Sequence, residues 1–240
     1  MAKKPAAAAN ADKSVADAIK KLGKMPSGYI TDAMGRLNIG CWMDGVLPVQ
    51  PTGRFCGPAR TLRYAPRLGG KTAPMNIYDF IRQCKKGEVL VIETGKSDQW
   101  IMGENMAHHS MYQGLAAMVT DSHVRDFAEI RELKFPVFCR GAAIRRSNLE
   151  LVGIDVPITC GGGQVNPGDI VMGDDDGLLV ASAAELRALI PAAREVEARE
   201  LKVRALMAGG RSLTSMLSLS EHVEALQRGV ASKLAFKLDE

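Results

Sequence analysis

Aromatic residues are scarce in this chain, 5% of 240 residues, which argues against the stacking platforms that hold single-stranded nucleic acids. An excess of one charge is missing too. The 31 basic and 27 acidic residues leave a net charge of +4, spread along the sequence rather than gathered in a stripe that would track a phosphate backbone. No nucleic-acid partner is expected. No apolar run is long enough to span a membrane, and "MAKKPAAAANADKS" has basic residues but no apolar stretch of the kind a signal peptide needs. No membrane partner is expected either. The five cysteines, Cys41, Cys56, Cys84, Cys139 and Cys160, are odd in number and lack CxxC spacing. Neither a zinc site nor a disulfide framework is indicated, and reduced thiols in a cytoplasmic protein fit best. The ordered GxGxxG of dinucleotide sites is also absent, and "CGGG" at 160–163 does not replace it.

What is present suffices for a buried core: 46% of residues are hydrophobic, in a length that suits one domain with or without a terminal extension. Residues 1–13 read as a flexible Ala-rich lead. From Ser14 to Leu37 two short amphipathic helix patterns are broken by Gly23, Pro26 and Gly28. "GVLPVQPTGRFCGPARTLRYAP" reads as short strands between Pro and Gly turns, and "MNIYDFIRQC" (75–84) returns to helical spacing. "KKGEVLVIETG" and "NPGDIVMGDDDGLLVAS" each open on a Gly-acid turn and continue as a buried strand. Between them lie a helix (about 104–113), the strand "LAAMVTD", the short helix "DFAEIREL" and the strand "FPVFCRGAAIR". The βαβαβ order predicts an α/β core over 14–182 with some parallel pairing. Residues 183–240 are strongly helical, with a break at Gly209 and Gly210. Such an extension packs on another subunit or on its own core, and a subunit interface is the assignment adopted.

Chemistry concentrates in "GENMAHHSMYQGLAAMVTDSHVRD", residues 103–126. Arg125 and Asp126 fall between a strand's carboxyl end and a helix's amino end, where open α/β sheets place ligands and free backbone N–H groups favour anions. Gly103 opens the preceding helix in the same way. Two such turns at one sheet edge would make a carboxylate pocket with one arginine and two acids, Glu104 and Asp126. Each part also has a plainer reading. Arg125-Asp126 alone would pass for a surface ion pair or a helix cap, and Glu104 for an acid complementing a helix amino terminus. His108 and His109 are adjacent, so they face different ways and are not an i, i+4 metal pair. "DSH" at 121–123 lacks triad geometry, and "DDDG" at 174–177 suits a tight hairpin better than a metal cluster.

The spacing from Glu104 across twenty residues to Arg125-Asp126 resembles the D-x20-R-D motif of the RraA-like family, which includes class II 4-hydroxy-4-methyl-2-oxoglutarate aldolases and regulators of ribonuclease E activity. "CGPARTLR" (56–63), "RDFAEIRELKFPVFCRG" (125–141) and "VNPGDIVMGDDDGLLVAS" (165–182) extend the resemblance over roughly residues 25–205. It implies a swivelling β/β/α domain in homotrimers or hexamers. It also implies a pyruvate-type 2-oxo acid bound with a divalent metal, Mg²⁺ or Mn²⁺, at an inter-subunit cleft. Carried over by position, the backbone turn Gly103, Glu104, Asn105, Met106 would hold the substrate carboxylate, Arg125 the 2-oxo oxygen, and Asp126 the metal. Glu104 stands where the family has aspartate, Asn105 and Met106 where it has leucines, and His108 where it has small residues. Lying one helical turn from Glu104, His108 becomes a candidate for the same pocket.

The implied reaction is retro-aldol cleavage of a 4-hydroxy-2-oxo acid, with oxaloacetate decarboxylation through the same pyruvate enolate. The motif contains no lysine for a Schiff base. Metal and guanidinium would therefore share the enolate charge, and Glu104 would position the water that returns the proton. The rival readings are a protein-binding regulator of the ribonuclease E inhibitor kind, or an enzyme for another 2-oxo or hydroxy acid.

Overall fold

The structure, a computed structural model, describes residues 6–66 and 75–238, with side chains from Ser14. Helices α1 (Ala6–Leu22) and α2 (Ser27–Leu37) lead into strands β1 (Cys41–Trp42), β2 (Leu47–Pro48) and β3 (Phe55–Pro66). Next come α3 (Ile77–Gln83), β4 (Val89–Glu93), β5 (Trp100–Met102), α4 (Glu104–Gln113), β6 (Ala117–Thr120), β7 (His123–Val124), α5 (Phe127–Glu132) and β8 (Val137–Cys139). Strands β9 (Leu149–Ile154), β10 (Ile158–Cys160), β11 (Gly163–Val165), β12 (Ile170–Asp174) and β13 (Gly177–Ala181) follow, then helices α6 (Leu186–Ala208) and α7 (Leu219–Gln227). None of the described helices is long and apolar enough to cross a membrane.

The expected α/β class holds: a curled mixed sheet runs β1-β13-β12-β3-β4-β6-β8-β2, with β9 added to β3. Its centre, β3-β4-β6-β8, is parallel, as the βαβαβ order requires. β4 is buried on both faces. Leu90 and Ile92 pack with Phe80, Ile81, Met118 and Ile130 under the helices, while Val89 and Val91 join Val119, Phe138 and Val180 on the other side. This double burial is why "VLVI" reads as a continuous apolar run.

Three expectations need correction. The stretch expected as short strands contains one twelve-residue strand, β3. Its glycine and proline are accommodated rather than disruptive: a Cβ on Gly57 would meet the Gly87 carbonyl oxygen at 2.1 Å, and beyond Pro58 the Ala59 N–H bonds to the Asp169 carbonyl at 2.7 Å. Helix α1 begins at Ala6, within the stretch read as a flexible lead, in keeping with alanine's helix propensity. Residues 1–5 of that lead lie outside the described residues. Gly28 lies inside α2 instead of breaking it. The "DDDG" reading holds, since β12 and β13 form a hairpin around Asp175 and Asp176. Asp174 accepts from the Ser27 N–H at 2.8 Å and Asp175 from the Thr52 N–H at 2.7 Å, so both acids serve the fold.

The chain divides into compact units at 191/192, inside α6. In the second unit the Arg199 guanidinium lies over the Phe236 ring at 5.2 Å, and α7 buries none of its side chains.

Candidate active site

The connections leaving β4 and β6 at their carboxyl ends are tied together by Asp121. Its buried carboxylate accepts from the Thr94 N–H (2.7 Å), the Thr94 hydroxyl (2.8 Å) and the Lys96 N–H (3.0 Å). Burial raises its pKa, and these hydrogen bonds pull against that rise. Asp121→Ala would strand these donors, two of them on Thr94, which is buried. The expected loss of folding stability is about 3 kcal/mol, read from urea unfolding. Beyond this knot, β5 and β7 pair in parallel, with Trp100 opposite His123 and Met102 opposite Val124.

This ribbon delivers two turns to one place. Met102 leads into Gly103, the N-cap of α4, and Val124 leads into Arg125 and Asp126, the N-cap of α5. The Arg125 N–H donates to the Met102 carbonyl at 3.1 Å, which locks the turns side by side. Asp126 is left-handed (φ 60°, ψ 43°), a conformation few non-glycine residues adopt, although aspartate is among those that tolerate it. In that pose its Oδ2 accepts from the Glu104 N–H at 3.1 Å and lies 3.4 Å from Arg125 Nε. A carboxylate thus already rests on the positive end of α4, which shows what kind of group that terminus attracts. Gly103 is extended (φ −149°), so any residue could adopt its backbone; space is the constraint. A Cβ there would sit 2.3 Å from Asp126 Oδ2 and 3.0 Å from Arg125 Cγ.

Gly103, Glu104, Arg125 and Asp126 therefore converge, with Asn105 exposed at the same helix end. Two of the four amides assigned to a substrate carboxylate have partners inside the protein: Glu104 N–H on Asp126, and Met106 N–H on the Gly103 carbonyl at 3.2 Å. Among the described residues, the Gly103 and Asn105 amides remain for a ligand. The Met106 side chain is core, not pocket. The His108 ring stacks on Tyr112, 5.6 Å between ring centres, one turn further along α4. His109 packs edge-on to Tyr78. "DSH" forms no relay, since Asp121 bonds to Thr94 and Lys96 while His123 Nδ1 lies 3.2 Å from the Ser97 carbonyl. All five cysteines are free of disulfides, and burial raises the pKa of every thiol, Cys56 to about 12 and Cys84 and Cys139 to about 11, which disfavours the thiolate.

Sequence reading missed Trp100. The Arg125 guanidinium lies 4.3 Å from the centre of its ring. A tryptophan three residues before a Gly-acid turn carries no signal of its own, because the contact comes from the β5–β7 pairing.

No group of three or more His, Cys, Asp or Glu side chains among the described residues is placed to hold a metal. One carboxylate, Asp126, with only its Oδ2 engaged by neighbours, is a hard oxygen donor. It suits an ion such as Mg²⁺ that keeps water and substrate oxygens for most of its shell.

Residues 27–180 match the model of the RraA-like family, described as Aldolase/RraA. A Halalkalibacterium halodurans protein named "Putative 4-hydroxy-4-methyl-2-oxoglutarate aldolase" is 31% identical over 185 residues, 76% of this chain and 84% of that one. Protein DlpA of Legionella pneumophila is 27% identical over 198 residues, 81% of this chain but only 32% of that relative's length. Among solved structures, Streptomyces coelicolor RraAS2, described as an unusual member of the RNase ES inhibitor RraA protein family, superposes with a TM-score of 0.70 at 25% identity. That match covers 78% of this chain and 96% of RraAS2.

Proposed function

The chain belongs to the RraA-like family, and from that premise we propose that it is a metal-dependent class II pyruvate aldolase. The substrate is a 4-hydroxy-2-oxo acid such as 4-hydroxy-4-methyl-2-oxoglutarate, and oxaloacetate is decarboxylated at the same site. The carrying observation is the convergence of Arg125 and Asp126 on the amino terminus of α4, with Asp126 held left-handed to reach it.

In this reading the Gly103 and Asn105 amides receive the substrate's C1 carboxylate at the helix's positive end. The Arg125 fork holds the 2-oxo oxygen and faces the negative charge that grows there as the C3–C4 bond breaks. Asp126 would hold a divalent ion, Mg²⁺ or Mn²⁺, which would supply further Lewis acidity at the site when bound. The Glu104 carboxylate, half-buried at the first position of α4, holds the water that takes the proton of the 4-hydroxyl as the second carbonyl forms and returns it to the methylene carbon of the enolate. The same charge-holding groups serve oxaloacetate, where carbon dioxide leaves in place of the second carbonyl product. We assign this chemistry to a cytoplasmic homotrimer or hexamer, and light scattering at micromolar concentration should give a trimer's mass or twice it.

The test is pyruvate release, read by coupled lactate dehydrogenase, from a panel of 4-hydroxy-2-oxo acids and oxaloacetate with Mg²⁺ or Mn²⁺. Release from at least one member supports the enzyme. Silence across the whole panel with either ion would favour the regulator, the reading that the likeness to RraAS2 supports.

A further inference from the structure

Trp100 is anchored more firmly than the arginine it meets. Its N–H donates to the Arg145 carbonyl at 3.1 Å, and its backbone pairs with His123 on β7 and forms a bridge to Arg146. The residue before it is also tied, with the Gln99 carbonyl 2.6 Å from the Ser122 hydroxyl and the Gln99 side chain accepting from the Asn148 N–H at 2.7 Å. Yet Trp100 belongs to neither apolar cluster and stays partly exposed, so core filling does not explain a tryptophan there. Arg125, by contrast, has a side chain 49% exposed, and among the described residues it is held only by the Trp100 ring and, at Nε, by Asp126. A long side chain so placed would otherwise sample many rotamers.

We propose that Trp100 is a positioning residue: its ring is the plate on which the Arg125 guanidinium lies flat, so that the fork meets the 2-oxo oxygen in one orientation. The inference rests on the aldolase reading for its kinetic consequence, but the stack itself does not. Attraction between the cation and the ring face holds the guanidinium while the Asp126 carboxylate faces Nε at 3.4 Å, which leaves the two terminal nitrogens as the donors presented to substrate. The role acts through Arg125 on the charge-developing step, so it bears on kcat more than on KM.

Trp100→Leu should lower kcat by about tenfold with KM within about twofold, and Trp100→Phe, which keeps an aromatic face, should recover most of the loss. In an Arg125→Lys background, Trp100→Leu should lower kcat by less than about twofold, because the plate then has no fork to orient. Equal losses in Phe and Leu, or a full tenfold loss in the Lys background, would overturn the proposal. A readout independent of turnover separates its failure from that of the aldolase reading. The chain has two tryptophans, so in Trp42→Phe protein the emission is that of Trp100 alone. Arg125→Met should change that emission by removing the stacked cation, as should titration with oxalate and Mg²⁺, oxalate being an analogue of the pyruvate enolate. If the emission responds but no substrate turns over, the aldolase reading fails while the stack stands. If it responds to neither, the plate is refuted whatever the activity.

Discussion

Arg125→Lys is expected to lower kcat for pyruvate release on the order of 10²-fold while the melting temperature stays within a few degrees of the parent. Lysine keeps the positive charge but presents one ammonium in place of a planar fork, and it has no planar face to set over the Trp100 ring, where the guanidinium carbon lies 4.3 Å from the ring centre. Little structural loss is expected, because the ion pair with Asp126 is half exposed and such pairs contribute little to stability. If Arg125 served only the fold, the pattern would reverse: a lower melting temperature with kcat nearly intact. Measuring both quantities on the same preparation separates the two roles, and a destabilised but fully active variant would refute the catalytic one.

Gly103→Ala should be comparably damaging to activity although it adds a single methyl. Its Cβ would fall 2.3 Å from Asp126 Oδ2, well inside contact distance, so the carboxylate must leave the Glu104 N–H or the two turns must separate. If Asp126 holds the metal as proposed, a displacement near 1 Å is enough for a loss on the order of 10²-fold. Stability should fall by only about 1 kcal/mol, the worth of one hydrogen bond. Gly28→Ala is the matched control, because a Cβ in that helix meets nothing within 4 Å and alanine is the better helix former. An active Gly103→Ala protein would mean that Asp126 does not need its seat on α4.

Local chemistry made part of this site legible in the sequence. Gly103 and Gly114 bracket α4 at the residues where the helix starts and stops, and the apolar runs of β4 and β6 announce strands covered on both faces. The acid and the Arg-Asp pair were likewise visible as two turns at one sheet edge. What stayed hidden depends on pairings between distant short segments. β5 has three residues and β7 two, too few for any periodicity, yet their pairing sets Trp100 beneath Arg125. Pro58 and Gly57 are turn formers by composition, and only the close Gly87 carbonyl shows why β3 continues through them. Met106 joins the carboxylate-holding turn by position alone, whereas its amide donates to the Gly103 carbonyl. Helical spacing places His108 one turn from Glu104, but spacing does not identify a ring's neighbours, and the Tyr112 ring stacked on it is a contact the spacing did not single out.

The central claim is that this chain breaks a carbon–carbon bond to pyruvate with the help of a metal gathered at Asp126. Its most direct test is pyruvate release from 4-hydroxy-4-methyl-2-oxoglutarate by the full chain, measured before EDTA treatment, after it, and after returning Mg²⁺ or Mn²⁺. Turnover that EDTA abolishes and the divalent ion restores is the expected result. Undiminished turnover in EDTA, together with a covalent adduct trapped by borohydride, would contradict it and place the chemistry on a lysine instead.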